Sequence, residues 1–109
     1  VVLVAPSMSG KFALPFVAAR PARVAGFVPV APAWIDEHAA SLEGSPVRTL
    51  VVWGTEDETF PVEEAAPLAA RFEDGEVLRL EGASHPAYLD RPDEFHAALV
   101  RFAAGASDR

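Results

Sequence analysis

Three side chains of this 109-residue sequence could share one reaction: Ser7, Asp57 and His85. A serine hydroxyl becomes a nucleophile when a histidine takes its proton, and a carboxylate on the ring's other nitrogen holds the productive tautomer. Ser7 lies in "VVLVAPSMSG", with Ala5 two residues before it and Ser9 two residues after. A serine on a sharp strand-to-helix turn needs small neighbours at both places, because the backbone folds back on itself there. Ser9 fails that requirement, since Lys11 stands two residues beyond it. The pattern departs from G-x-S-x-G, and a serine here is equally suited to capping the next helix. Gly10-Lys11 is no phosphate loop, because no glycine lies five residues earlier and Phe12 replaces the Ser or Thr. Asp57 sits in "GTEDE", where it either orients a histidine or belongs to an acidic surface loop with Glu56 and Glu58. His85 precedes Pro86, which biases it away from helical angles and into a loop, where a lone histidine is usually a surface residue.

The elements that would have to position these residues are legible as short apolar runs at residues 1–4, 24–30, 49–53 and 76–80. Runs that do not alternate polar with apolar are strands buried on both faces, which predicts a parallel sheet. Residues 10–20 read as a helix shortened or kinked by Pro15, and residues 62–72 as a helix begun by Pro61 and broken by Pro67. The last helix is the clearest. Asp90 can cap it, Pro92, Asp93 and Glu94 suit its first turn, and Phe95, Ala98, Leu99 and Phe102 recur at i, i+3, i+4, i+7. Residues 103–109 read as a tail, and the stretch between the second and third runs as a loop. The predicted order is β-α-β-loop-β-α-β-α, an α/β fold with a parallel sheet, flanking helices and functional loops at the strands' carboxyl ends. Ser7, Asp57 and His85 each follow a different run at that end, and this coincidence favours a shared site over three unrelated surface residues.

Composition narrows the function classes. Half the residues are hydrophobic and 23% are charged, a globular balance with room for one domain. Sixteen acidic against nine basic residues give a net charge of −7, which argues against a nucleic-acid partner. Without cysteine there is no disulfide, thiolate metal site or cysteine nucleophile. His38 and His96 lack partners at metal-ligand spacing, so no metal is expected. No apolar run approaches the roughly 20 residues of a membrane span, and the expectation is a cytoplasmic protein with no membrane partner.

From residue 1 to about residue 103 the chain resembles the C-terminal half of an α/β-hydrolase, whose triad runs in the chain order Ser, acid, His. "GTEDETFPVEEAAPLAARF" is similar to that family's acid loop, and "LEGASHPAYLDRPDEFHAALVRF" to its histidine loop and last helix. "PSMSGKFALPF", "GFVPVAP" and "HPAYLD" resemble the small, capless alpha/beta hydrolase domain-containing protein 14 group. The resemblance implies that Ser7 is the nucleophile, His85 the general base and then acid, and Asp57 the orienting acid, with Met8 giving one oxyanion-hole amide. Asp36 competes with Asp57, because some hydrolases supply the acid after the preceding strand. The implied chemistry is hydrolysis or transfer of a small acyl ester, thioester or activated amide, with no metal or organic cofactor. The short segment at residues 33–46, where larger relatives insert a cap, would leave Trp34, Ile35 and Tyr88 at the rim, although Trp34 and Ile35 are as well suited to packing on the body. The resemblance further implies that residues 1–109 are strands five to eight of a single, partial domain. The N-terminal half, with its second oxyanion donor, would be absent and the first strand an open edge prone to self-association. A non-catalytic binding module or an inactive fragment on the same scaffold are the alternatives.

Overall fold

All four apolar runs become strands, but only the central two are covered on both faces; the strands at the two sheet edges, residues 2–6 and 75–80, are largely half-buried or exposed, contrary to the expectation of four strands buried on both faces. The structure is a computed structural model that describes residues 2–85 and 87–107. Its elements are β1 (Val2–Pro6), α1 (Gly10–Ala19), β2 (Gly26–Val30), α2 (Ile35–Leu42), β3 (Thr49–Gly54), α3 (Ala65–Ala69), β4 (Gly75–Leu80), α4 (Ala87–Asp90) and α5 (Pro92–Ser107). The strands form one four-stranded sheet in the order β1-β2-β3-β4. All three pairings are parallel. Phe27, Val51 and Trp53 face α1, α2 and α3, where Leu14, Val17, Leu42 and Leu68 complete one core. Val28, Val30, Leu50, Val52 and Leu80 face the opposite way and pack with Ala87 of α4 and Ala98 and Phe102 of α5. Every residue of β2 and β3 is buried, which is why their sequences show no polar alternation.

The expected order holds, with two additions and some shifted ends. The stretch read as a loop contains α2, whose Ile35, Ala39 and Leu42 form a one-sided apolar stripe behind Asp36 and Glu37 in the first turn. Residues 62–72 are not one helix broken in the middle. A 3-10 turn at Val62–Glu64 leads into the short α3, and Pro67 falls in its first turn, where amides have no intrahelical partner. Pro15 lies inside α1 without ending it, though the helix is only 10 residues long. The tail expected from residue 103 is helical to Ser107. Arg48 explains this, since its Nη1 donates to the Phe102 carbonyl at 2.7 Å and its guanidinium lies 4.2 Å over the Phe102 ring. Residues 108–109 lie outside the described residues. Among the described residues, no helix is long and apolar enough to cross a membrane.

Candidate active site

β1 delivers the chain to Ser7 in a left-handed conformation, with φ of 47°. A non-glycine residue there costs about 1–3 kcal/mol, and such strain persists only where the surroundings enforce it. Ala31 and Trp34 share the strain, with φ of 41° and 71°, so the two turns at the carboxyl ends of β1 and β2 hold every left-handed non-glycine residue among the described ones. The turns are interlocked. The Ala33 amide donates to the Ser7 carbonyl at 2.9 Å, and a Cβ on Gly10 would stand 2.4 Å from the Ala33 oxygen. Ser7 lies in a 3-10 turn, Ser7–Ser9, that runs into α1, and its hydroxyl turns away from the helix to meet His85.

The loops after β3 and β4 are tied to each other. The Gly82 amide donates to Thr55 Oγ1 at 2.8 Å, and the Glu56 amide to the Ala83 carbonyl at 2.9 Å. Gly54 allows this approach, since a Cβ there would lie 2.3 Å from the Ala83 oxygen. Trp53, fully buried, donates its indole N–H to the Phe60 carbonyl at 2.9 Å and so anchors the far end of the acid loop. Inside that loop the Asp57 side chain has no solvent exposure. Its Oδ1 accepts the amides of Thr59 and Phe60 at 2.8 Å each, and its Oδ2 lies 2.8 Å from His85 Nδ1. The other ring nitrogen, Nε2, lies 2.8 Å from Ser7 Oγ. An ionised carboxylate only accepts, so Nδ1 carries the proton and Nε2 is left to accept the serine hydroxyl. Phe60 packs edge-on against the imidazole at 5.5 Å between centroids. The arrangement can move the Ser7 proton onto His85 as the oxygen attacks a carbonyl carbon.

A cleft of about 350 Å³ opens beside this line, walled by Met8, Trp34, Ile35, Asp36, Phe60 and Glu64 among others. Trp34 and Ile35 line this cleft, Ile35 also packing against the first core, and Met8 is exposed there directly after Ser7. Tyr88 does not wall this cleft. Three residues past His85 the chain has entered α4, which turns the Tyr88 ring back onto Phe95, 5.9 Å away, against the other core. Asp36 sits in the exposed first turn of α2 while Asp57 holds the imidazole. Phe60 and Glu64 were not singled out from sequence, although "DETFPVEE" places both within one loop of Asp57. Burial pushes the Glu64 carboxyl above its ordinary value, helped by the Asp36 and Asp57 charges. Asp90, expected to cap α5, instead accepts the hydroxyl and amide of Ser84, and those two bonds lower its carboxyl. Among the described residues no group of three or more His, Asp or Glu side chains could hold a metal ion; His38 lies on α2 and His96 on α5.

No family model matches the chain. It is 40% identical over 103 residues to "Putative protein-lysine deacylase ABHD14B" of Rattus norvegicus, covering 93% of this chain and 48% of that protein. It is 36% identical over 102 residues to ABHD14A of the same species, covering 93% of this chain and 42% of the relative. The chain therefore spans about half the length of the curated relatives it matches. Among solved structures, a predicted CIB-like hydrolase from Thermoplasma acidophilum superposes with a TM-score of 0.86 at 30% identity, over 93% of this chain and 49% of that one. With four parallel strands and two covering layers of helix, the chain has part of the α/β-hydrolase fold, and in sequence it is homologous to ABHD14A and ABHD14B.

Proposed function

We propose that this chain carries the triad of a serine hydrolase or acyltransferase acting on a small acyl ester, thioester or activated amide. One observation carries the reading: an unbroken line of contacts runs from a left-handed Ser7 through His85 to a buried Asp57 whose second oxygen is held by two amides. Ser7 Oγ forms a bond to the acyl carbon while His85 Nε2 takes its proton. The same proton then goes to the leaving group as the carbon–heteroatom bond breaks. Asp57 stabilises the imidazolium formed in between. Water or another acceptor, deprotonated by His85, releases the acyl group from Ser7. The Met8 amide, next after the nucleophile, is the proposed oxyanion donor within this chain. The name of ABHD14B points to an N-acylated lysine as one form of acyl donor. Asp36, Glu37 and Glu64 on the cleft wall favour an uncharged acyl group over an anionic one.

Residues 1–109 are proposed to be the C-terminal part of a single α/β-hydrolase domain, the other part flanking β1 and bringing a second oxyanion donor. Support comes from the half-length match to the relatives and from β1 itself, a sheet edge beside an apolar groove of about 430 Å³. Val4, Phe12 and Phe16 are 39%, 74% and 45% exposed there. Uncovered, such an edge promotes self-association, and loss of one oxyanion donor costs about 10² to 10³ in turnover.

The test is labelling of the complete polypeptide by a serine-directed phosphonate. Wild type labels and Ser7→Ala does not, while Ser9→Ala labels almost normally. Equal labelling of wild type and Ser7→Ala, or labelling of neither, overturns the reading in favour of a non-catalytic binding module.

A further inference from the structure

The segment that carries His85 is held from two sides. After β4 ends at Leu80, the Glu81 carbonyl accepts from Arg91 Nε at 3.0 Å, the Gly82 amide donates to Thr55, the Ala83 carbonyl accepts the Glu56 amide, and Ser84 donates to Asp90. Thr55 and Glu56 belong to the acid loop, so they tie histidine to acid. Asp90 and Arg91 belong to the junction of α4 and α5. We infer that Asp90 is a positioning residue for His85: one carboxylate oxygen takes both the amide and the hydroxyl of Ser84 and so fixes the backbone immediately ahead of the imidazole.

The need for such a grip follows from the geometry. The contact with Asp57 restrains the Nδ1 end of the ring and Phe60 packs edge-on against it, but neither fixes the backbone that carries the ring. The Nε2 end has to meet a serine oxygen on a different strand at 2.8 Å. An error of about 1 Å in such an alignment costs about 10²-fold in rate. Ser84 is the last residue before the histidine, so clamping its amide removes the pivot at the backbone. Asp90 suits the task because its Oδ2 takes both bonds, the amide one at 2.8 Å. Among the described residues it makes no hydrogen bond to Ser7 or Asp57, and it does not wall the cleft. Arg91 completes the clamp by packing over Gly82, whose φ of 76° lets the loop turn beneath it.

This inference rests on the acyl-transfer reading for its effect on rate, and the experiment separates the two. In the complete polypeptide, Asp90→Ala, Asp90→Asn and Ser84→Ala are compared with wild type by phosphonate labelling rate at Ser7, by kcat and KM on a neutral acyl ester, and by the imidazole ¹⁵N spectrum of His85. Asp90→Ala is expected to slow labelling and kcat about 10- to 100-fold with KM little changed, and to weaken the His85 signal of a single Nδ1-protonated tautomer. Asp90→Asn keeps an acceptor oxygen and recovers most of the loss, and Ser84→Ala, which deletes one bond of two, falls between. Should Asp90→Ala fail to fold, the Asn and Ser84 variants still decide the matter. Wild-type labelling and an unchanged imidazole spectrum in the folded variants overturn the inference. If wild type itself is not labelled, it is the acyl-transfer reading that fails, and the imidazole spectrum alone judges the clamp.

Discussion

The two halves of the site are built by different means. On the β3–β4 side, hydrogen bonds do the holding: Asp57 is buried with two amides on one oxygen, and the acid and histidine loops are joined through Thr55 and Glu56. On the β1–β2 side, close approach and backbone strain do it, with three left-handed non-glycine residues and one backbone bond from Ala33 to Ser7. Strain needs something firm to work against, and β1 is a sheet edge whose outer flank carries exposed Val4, Phe12 and Phe16. The comparison teaches that the pairing of Asp57 with His85 is held by bonds within these residues, whereas the turn of Ser7, the proposed nucleophile, rests on a strand at the sheet edge.

The largest expected effects fall on the line of contact itself. Asp57→Asn leaves the loop able to fold but favours the wrong tautomer of His85, and a loss of about 10² to 10⁴ in turnover is expected. Asp36→Asn, on the exposed start of α2, is expected to change turnover little. Steady-state kinetics on the complete polypeptide checks the pair, and a crippled Asp36→Asn beside a healthy Asp57→Asn would move the acid to the other loop.

A glycine on each side sharpens the contrast. Gly54→Ala puts a Cβ 2.3 Å from the Ala83 oxygen and 2.7 Å from that of Ser84, forcing the bonded loops apart. The expected cost is about 1–3 kcal/mol in stability, as for other overpacked positions. A fall of about 10²-fold in turnover comes with it, since the histidine moves too. Gly10→Ala meets the Ala33 oxygen at 2.4 Å and is expected to lose activity at a smaller cost in stability than Gly54→Ala, because one backbone bond joins the turns here against several between the acid and histidine loops. Thermal unfolding and turnover of both variants test this ordering, and a larger stability loss for Gly10→Ala would reverse the comparison.

Much of this was legible in the residues. The non-alternating runs gave all four strands and their parallel pairing, and the stripe Phe95, Ala98, Leu99, Phe102 named the face of α5 that packs on the sheet. Ser7, Asp57 and His85 were singled out because each lies within five residues of its strand's carboxyl end, and the fold brings the three side chains within hydrogen-bond distance. What escaped has physical causes. α2 was hidden because it is only eight residues long and lies in the short segment that was read as a loop. The helical end of α5 depends on Arg48, more than 50 residues away in sequence, which no local pattern reports. Asp90 looks like a helix cap in sequence and becomes a loop clasp only because Ser84 comes within reach.

The open side of the nucleophile's half has its own consequence. The 109-residue chain alone is expected to self-associate in light scattering, and Phe12→Asp with Phe16→Asp, both on the exposed face of α1, to shift it toward monomer. Unchanged association in that double variant would place the contact elsewhere.

The smallest effect concerns Glu64, which stands on the cleft wall between the two halves. Burial raises its carboxyl from the ordinary 4.5, and Asp36 and Asp57 raise it further. A carboxyl whose folded-state value is raised binds its proton more tightly in the folded than in the unfolded chain. Stability therefore falls as pH rises from the ordinary value through the raised one, and the loss is fully present above it. Glu64→Gln removes that loss, so the variant is expected to melt slightly higher than wild type near neutral pH, with the gap closing below pH 4.5. The same charge faces the acyl group in the proposed reaction, so the variant is also expected to gain on the order of a few-fold in turnover of an anionic acyl ester relative to a neutral one. Melting curves across this pH range and paired acetyl and succinyl esters provide the measurements. A Glu64→Gln variant with lower stability at neutral pH and an unchanged ester ratio would mean that this carboxylate is held by partners and does not repel the cleft's contents.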